Sequence, residues 1–106
     1  MVYGYCRCST NETKQDITRQ KRELKELGAV DATIFMEYES GTKINRPELL
    51  KLLSTVKAGD TIVTTEISRI TRSTKQLCDI IELIKTQQLK LVIKNSIIID
   101  CTAGKD

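Results

Sequence analysis

Short β-branched or apolar runs alternate with amphipathic segments along this chain, and that alternation leaves little choice of architecture. Val2 to Cys8 reads as a strand that gives way abruptly to polar residues from Ser9 onward. Ile17, Leu24 and Leu27 then recur at helical spacing among charged residues, with Asn11 or Thr13 placed to cap the start of a helix over 13–27 and Gly28 to end it. Residues 32–36, with Thr33, Ile34 and Phe35, predict a second, buried strand. Pro47 suits a first helical position, and Leu49, Leu50, Leu52, Leu53 and Val56 supply the core stripe of a helix over 47–57. Gly59-Asp60 turns the chain into a third strand at 61–65. Leu77, Ile80, Ile81 and Ile84 at i, i+3, i+4 and i+7 predict a helix over 73–88, followed by strands at 89–94 and 96–99, the first parallel and the second an antiparallel edge. The fold class is therefore α/β: three layers, with a mostly parallel sheet of four to five strands and helices on both faces, in one domain over residues 1–106.

Composition matters here for what it removes. The chain has no histidine, which excludes Ser-His-Asp and Cys-His catalysis and the usual histidine-bearing metal sites. Its four cysteines, Cys6, Cys8, Cys78 and Cys101, include no CxxC pair, so they read as buried reduced thiols acting as small hydrophobes, with no metal site. No GxxxxGK[ST] loop and no GxGxxG fingerprint is present, so no nucleotide cofactor is expected. A cysteine-phosphatase loop needs an arginine six positions after its cysteine, and neither Cys6 nor Cys8 has one. No signal peptide or membrane span is apparent, and the cytoplasm is the default compartment. A net charge of +3 is too small to announce a nucleic-acid partner by itself.

Placement of charge says more than its total. In a parallel sheet, ligands bind beyond the carboxyl ends of the strands. Ser9 lies past the first strand, the long polar segment from Glu37 to Arg46 past the second, and Arg69 with Arg72 past the third. Along the first strand, Arg7 and Ser9 project to one side while Cys6 and Cys8 face the other. Taken alone, Ser9 also suits a helix cap and Arg7 a solvated charge. Together, a hydroxyl and several guanidinium groups converge on one edge. Arginine's forked donors match phosphate oxygens and stay charged at any relevant pH, so the expected ligand is a phosphate group.

These residues also carry a family likeness. Tyr5-Cys6-Arg7-Cys8-Ser9-Thr10, then Ser40-Gly41 followed by Asn45-Arg46-Pro47, then Gly59-Asp60 leading to Ser68-Arg69-Ile70-Thr71-Arg72-Ser73, resemble in order and spacing the signatures of the serine recombinases, the resolvase and invertase family. The likeness spans nearly the whole chain. It implies a site-specific DNA recombinase whose serine forms a 5'-phosphoserine link to a double-stranded recombination site, with strand exchange and religation needing neither ATP nor metal. It implies Ser9 as nucleophile and Arg7, Arg69 and Arg72 as catalytic arginines on the scissile phosphate, with Arg46, Ser40 and Glu37 completing the pocket. It implies a homodimer that becomes a tetramer at synapsis, and no cofactor.

Three positions depart from the family pattern. Ser68 stands where relatives commonly carry aspartate, Glu37 where aspartate is more frequent, and Thr13 or a neighbour where many have a glutamine shortly after the catalytic serine. In the family the catalytic domain precedes a long dimerisation helix and a DNA-binding region, so residues 1–106 are expected to be a catalytic domain truncated before both. The alternative reading is a non-catalytic phosphate-binding or assembly module retaining the fold, and the missing carboxylate at Ser68 is its support.

Overall fold

Hydrogen-bonded pairing joins five strands in the order β2-β1-β3-β4-β5 in a computed structural model that describes residues 1–9, 14–39, 47–66, 74–94 and 97–101. The strands are β1 (Val2–Ser9), β2 (Ile34–Glu39), β3 (Thr61–Thr64), β4 (Lys90–Ile93) and β5 (Ile97–Asp100). The helices are α1 (Lys14–Glu26), α2 (Pro47–Thr55) and α3 (Thr74–Thr86), with a 3-10 turn at Asp31–Thr33. The first four strands are parallel, and β5 runs antiparallel to β4 at the edge. This is the α/β architecture read from the alternation of runs. Because the connection through α1 leads to one neighbour of β1 and the chain then returns through α2 to the other, the topological switch point lies at β1 and β3.

Two apolar clusters, one on each face, hold the layers together. Leu49, Leu52 and Val56 of α2 and Ile80 and Ile84 of α3 pack on Tyr5, Ile62, Leu91 and Ile93. On the opposite face Leu24 of α1 packs with Ala29 against Cys6, Cys8 and Val63. Strand alternation thus divides β1 as expected, with Tyr5 under α2 and both thiols under α1. Gly4 makes the second contact possible: a Cβ there would meet Leu24 Cδ1 and Ile34 Cγ1 at 3.2 Å and Ala29 Cβ at 3.3 Å. The burial read for the cysteines holds for Cys6 and Cys8 but not for Cys78, which is exposed, or Cys101, which is half-buried. Cys78 lies off the α3 stripe whose Ile80 and Ile84 turn inward.

Both 13-residue helices end in the same motif. After α1, Gly28 N–H bonds to Lys25 O at 3.0 Å and Ala29 N–H to Leu24 O at 3.1 Å, with Gly28 at φ 112°. After α3, Gln88 N–H bonds to Lys85 O at 3.2 Å and Leu89 N–H to Ile84 O at 2.9 Å, with Gln88 at φ 58°. A side chain in that left-handed region costs about 1 kcal/mol, which glycine avoids. Gln88→Gly is expected to raise stability by about 1 kcal/mol in urea titration; an unchanged midpoint would show that the Gln88 side chain repays the strain.

Element boundaries differ from the sequence reading in two informative places. The second strand begins at Ile34, not Ala32, because Thr33 closes a turn: its hydroxyl accepts from Val30 N–H and donates to Val30 O, both at 3.1 Å. The strand then continues through Glu37 to Glu39, so Glu37 lies within β2 and not beyond it. Likewise Ser9 is the last residue of β1, paired with Glu39, and not the first residue past it.

At the opposite end of the sheet the Lys57–Asp60 turn anchors the chain start. The Asp60 carboxylate accepts from Lys57 N–H at 2.8 Å and from the Met1 ammonium at 3.2 Å. The Lys57 amide bond, more than any other contact, holds its carboxyl below the usual carboxylate range. The stabilisation this provides is present at neutral pH and is lost as pH falls through the lowered value.

Candidate functional site

The carboxyl ends of β1 and β2 meet in register, with Arg7 opposite Glu37 and Ser9 opposite Glu39. Arg7 is buried at 9% exposure, which excludes the reading of a solvated surface charge. It shares its face of β1 with Tyr5, beneath the start of α2. A buried guanidinium keeps its charge and acts in a medium where a phosphate would feel it strongly.

Glu37 is held by three hydrogen bonds. Its carboxylate, 4% exposed, accepts from Leu49 N–H at 3.1 Å and Tyr5 Oη–H at 3.3 Å through Oε1, and from Glu48 N–H at 3.4 Å through Oε2. Glu48 and Leu49 are the second and third residues of α2, whose amides have no partner inside the helix. Arg46, directly before Pro47, has no side-chain acceptor to cap them. A carboxylate from the neighbouring strand therefore serves as the cap, and its charge suits the positive end of the helix. Glu37 thereby ties β2, β1 and the first turn of α2 at the chain position next to Arg46.

The other sequence-derived residues are placed by their neighbours in the chain. For Ser9 the structure describes the backbone, at the end of β1, an interior strand between β2 and β3. Ser40 and Arg46 lie outside the described residues, in the stretch between Glu39, the last residue of β2, and Pro47, the first of α2. Arg69 and Arg72 also lie outside them, as does Ser68, in the stretch from the carboxyl end of β3 to Thr74. Arg7 and Glu37 are thus brought together by the described fold.

Among the described residues, buried polar groups in this region that escaped the sequence reading include Tyr5, Gln20 and Thr64. Tyr5, 0% exposed, is the phenol held by Glu37. Gln20, 1% exposed, faces inward from α1, and its position on the Ile17, Leu24, Leu27 stripe was the available signal. Thr64, 0% exposed at the end of β3, pairs with Ile93, and its hydroxyl has no hydrogen-bond partner among the described residues. Thr64→Val is expected to gain about 1 kcal/mol in thermal or urea unfolding, since an unpaired buried hydroxyl is replaced by a methyl of similar shape; a loss of stability would mean that the hydroxyl is bonded in solution.

An open groove of about 470 Å³ lies elsewhere, on the outer stripe of α1 by Arg19 and Arg22, and neither Arg7 nor Glu37 lines it. Among the described residues no group of three or more His, Cys, Asp or Glu side chains is placed to hold a metal ion, and no helix is long and apolar enough to cross a membrane.

Comparison with known proteins identifies the family. The model of the resolvase N-terminal domain matches residues 2–105. A resolvase of Clostridium perfringens is 41% identical over 87 residues, covering 82% of this chain and 45% of that protein. The transposon Tn917 resolvase of Enterococcus faecalis is 33% identical over 87% of this chain and 48% of its own length. A DNA-invertase of Escherichia phage P1 is 38% identical over 77% of this chain and 42% of its own. The chain spans less than half the length of these relatives. With the family model matched from the first strand to the last, on the topology that its motifs imply, the chain belongs to the resolvase family and carries its N-terminal domain.

Proposed function

We propose that residues 1–106 form the catalytic domain of a serine site-specific DNA recombinase, and that the edge formed by β1, β2 and β3 is its active site. The observation that carries this reading is the buried Arg7 two residues before Ser9 on β1, at the switch point, beside the Glu37-capped start of α2. Ser9 Oγ attacks the phosphorus of a DNA phosphodiester, giving up its proton. The P–O bond to the 3'-oxygen breaks, that oxygen takes up a proton, and the 5'-phosphate remains esterified to the protein. Attack by the 3'-hydroxyl of another strand reverses the step and restores Ser9. Bond energy is kept in the ester, so the exchange needs no ATP.

Within this reading Arg7, Arg69 and Arg72 stabilise the charge that builds on the non-bridging oxygens, and donors already in place supply the largest share of such catalysis. Arg46 adds a further cation from the start of α2, and Ser40 and Glu37 shape the pocket. Double-stranded DNA is the substrate, and a homodimer that pairs into a tetramer would supply the nucleophiles needed to break both strands at two sites. Target choice falls to the part of the relatives that this chain does not match.

Ser68, where aspartate is common in the family, favours a second reading in which the fold binds phosphate without cutting. One experiment separates the two. Incubated with DNA carrying its recombination site and then denatured, the protein should retain a covalently bound DNA fragment, mapped by mass spectrometry to the tryptic peptide of residues 8–14. DNA bound before denaturation but never covalently attached would establish the binding module instead.

A further inference from the structure

On the face of β1 away from Arg7, three buried polar groups form a closed chain of hydrogen bonds. Cys6 Sγ lies 3.0 Å from Gln20 Oε1, Cys8 Sγ lies 3.6 Å from Cys6 Sγ, and Gln20 Nε2 lies 4.0 Å from Cys8 Sγ. One direction of donation satisfies all three contacts: the Gln20 amide gives to Cys8, Cys8 gives to Cys6, and Cys6 gives back to the Gln20 carbonyl. The residues are 1%, 0% and 1% exposed, for Cys6, Cys8 and Gln20. The ring joins α1 to the last turn of pleat before Ser9, and the activity proposed above uses neither sulfur.

We propose that Cys6 and Cys8 are an oxidative modification site, a dithiol that a small peroxide converts to a disulfide, and that this disulfide disables the adjoining catalytic edge. Burial selects the reagent, because hydrogen peroxide can reach thiols that glutathione is too bulky to approach. Peroxide oxidises one thiol to sulfenic acid, is itself reduced, and releases a water. The second thiol then attacks that sulfur, the S–O bond breaks, and a second water leaves as the S–S bond forms. The two sulfurs already touch, so this capture outcompetes further oxidation.

Closing the bridge has a structural consequence that other cysteine chemistry would lack. Alternate residues of an extended strand have Cα atoms about 6.7 Å apart, the upper limit for a disulfide, whose usual separation is roughly 5.5–6 Å. Reaching the usual separation shortens the strand between the two cysteines, and the residue between them is Arg7. Shortening disturbs the register of Arg7 with Glu37 and of Ser9 with Glu39. Oxidation also removes both S–H donors from the ring with Gln20 and loosens the hold of α1 on β1. The effect on cleavage rests on the recombinase reading; the chemistry and the loosening do not.

The test uses a Cys78→Ser/Cys101→Ser background, which removes the more accessible thiols. After peroxide, alkylation under denaturing conditions and trypsin, which cuts after Arg7 and Lys14, peptides 1–7 and 8–14 are expected to remain joined and to separate on reduction. Amide exchange across α1 should rise on oxidation and fall again with dithiothreitol. DNA cleavage should drop on the order of a hundredfold and recover on reduction, the loss expected for an ångström-scale displacement of reacting groups. Cys6→Ala and Cys8→Ala, made separately, should both cleave DNA regardless of peroxide. Unlinked peptides, unchanged α1 exchange, or equal peroxide sensitivity in both alanine variants would overturn the proposal. If the reduced protein forms no adduct at all, the failure belongs to the recombinase reading, and the peptide and exchange measurements still decide the dithiol site.

Discussion

Ser9→Ala is expected to abolish the covalent protein–DNA adduct while leaving the fold and the binding of DNA in place. The backbone of Ser9 pairs with that of Glu39 at the end of β1, and this pairing does not need the hydroxyl, so unfolding should shift by less than about 0.5 kcal/mol. The tryptic peptide that would carry the phosphodiester, residues 8–14, also contains Thr10 and Thr13. Thr10→Ala and Thr13→Ala should therefore retain adduct where Ser9→Ala forms none. Adduct persisting in Ser9→Ala would remove the nucleophile from the proposal. Arg7→Ala adds a graded version of the test: it should reduce cleavage on the order of a hundredfold or more and DNA retention far less, because arginine aimed at developing charge acts mainly on the transition state.

The second large effect is expected at Glu37. Replacing it with alanine strips the acceptor from Glu48 N–H, Leu49 N–H and the Tyr5 hydroxyl together. Leaving buried donors unpaired at the start of α2 should cost about 3 kcal/mol, or roughly a 15 °C fall in melting temperature for a domain of this size. Glu37→Gln keeps one carbonyl for Leu49 and Tyr5 but turns an NH₂ toward Glu48 N–H, and should fall between. The comparison that matters is with cleavage. If Glu37 acts by holding the first turn of α2, and so Arg46, then Glu37→Gln should lose activity under conditions where it is still fully folded. Full activity in a folded Glu37→Gln would confine the residue to stability.

The Glu37 result also shows where sequence reading reaches and where it stops. Among the described residues, periodicity found the α-helices and the strands, because apolar stripes such as Leu77, Ile80, Ile81 and Ile84 report directly on what faces the sheet. It misplaced the end of β2, because Glu37 and Glu39 are polar and a strand that ends at a polar edge stops looking like a strand before its hydrogen bonding stops. The family resemblance singles out Glu37, but its capping of α2 was not legible in the sequence, since that bond joins residues 37 and 49 through space. Gln20 was hidden for the opposite reason: among the charged residues of α1 a single glutamine on the inner stripe reads as solvated until Cys6 and Cys8 are placed beneath it. Tyr5 read as an ordinary strand aromatic, and nothing local marks it as the donor to a carboxylate 32 residues away.

The strand that ends at Ser9 begins beside the Met1 ammonium and its contact with Asp60. These two ends lie roughly 25 Å apart along β1. An affinity tag or reporter fused ahead of Met1 would therefore sit far from the proposed catalytic edge and should leave the proposed chemistry unaffected. It would nonetheless delete the terminal positive charge that Asp60 engages, so tagged protein should be compared with untagged before any small difference in acid tolerance is credited to a substitution.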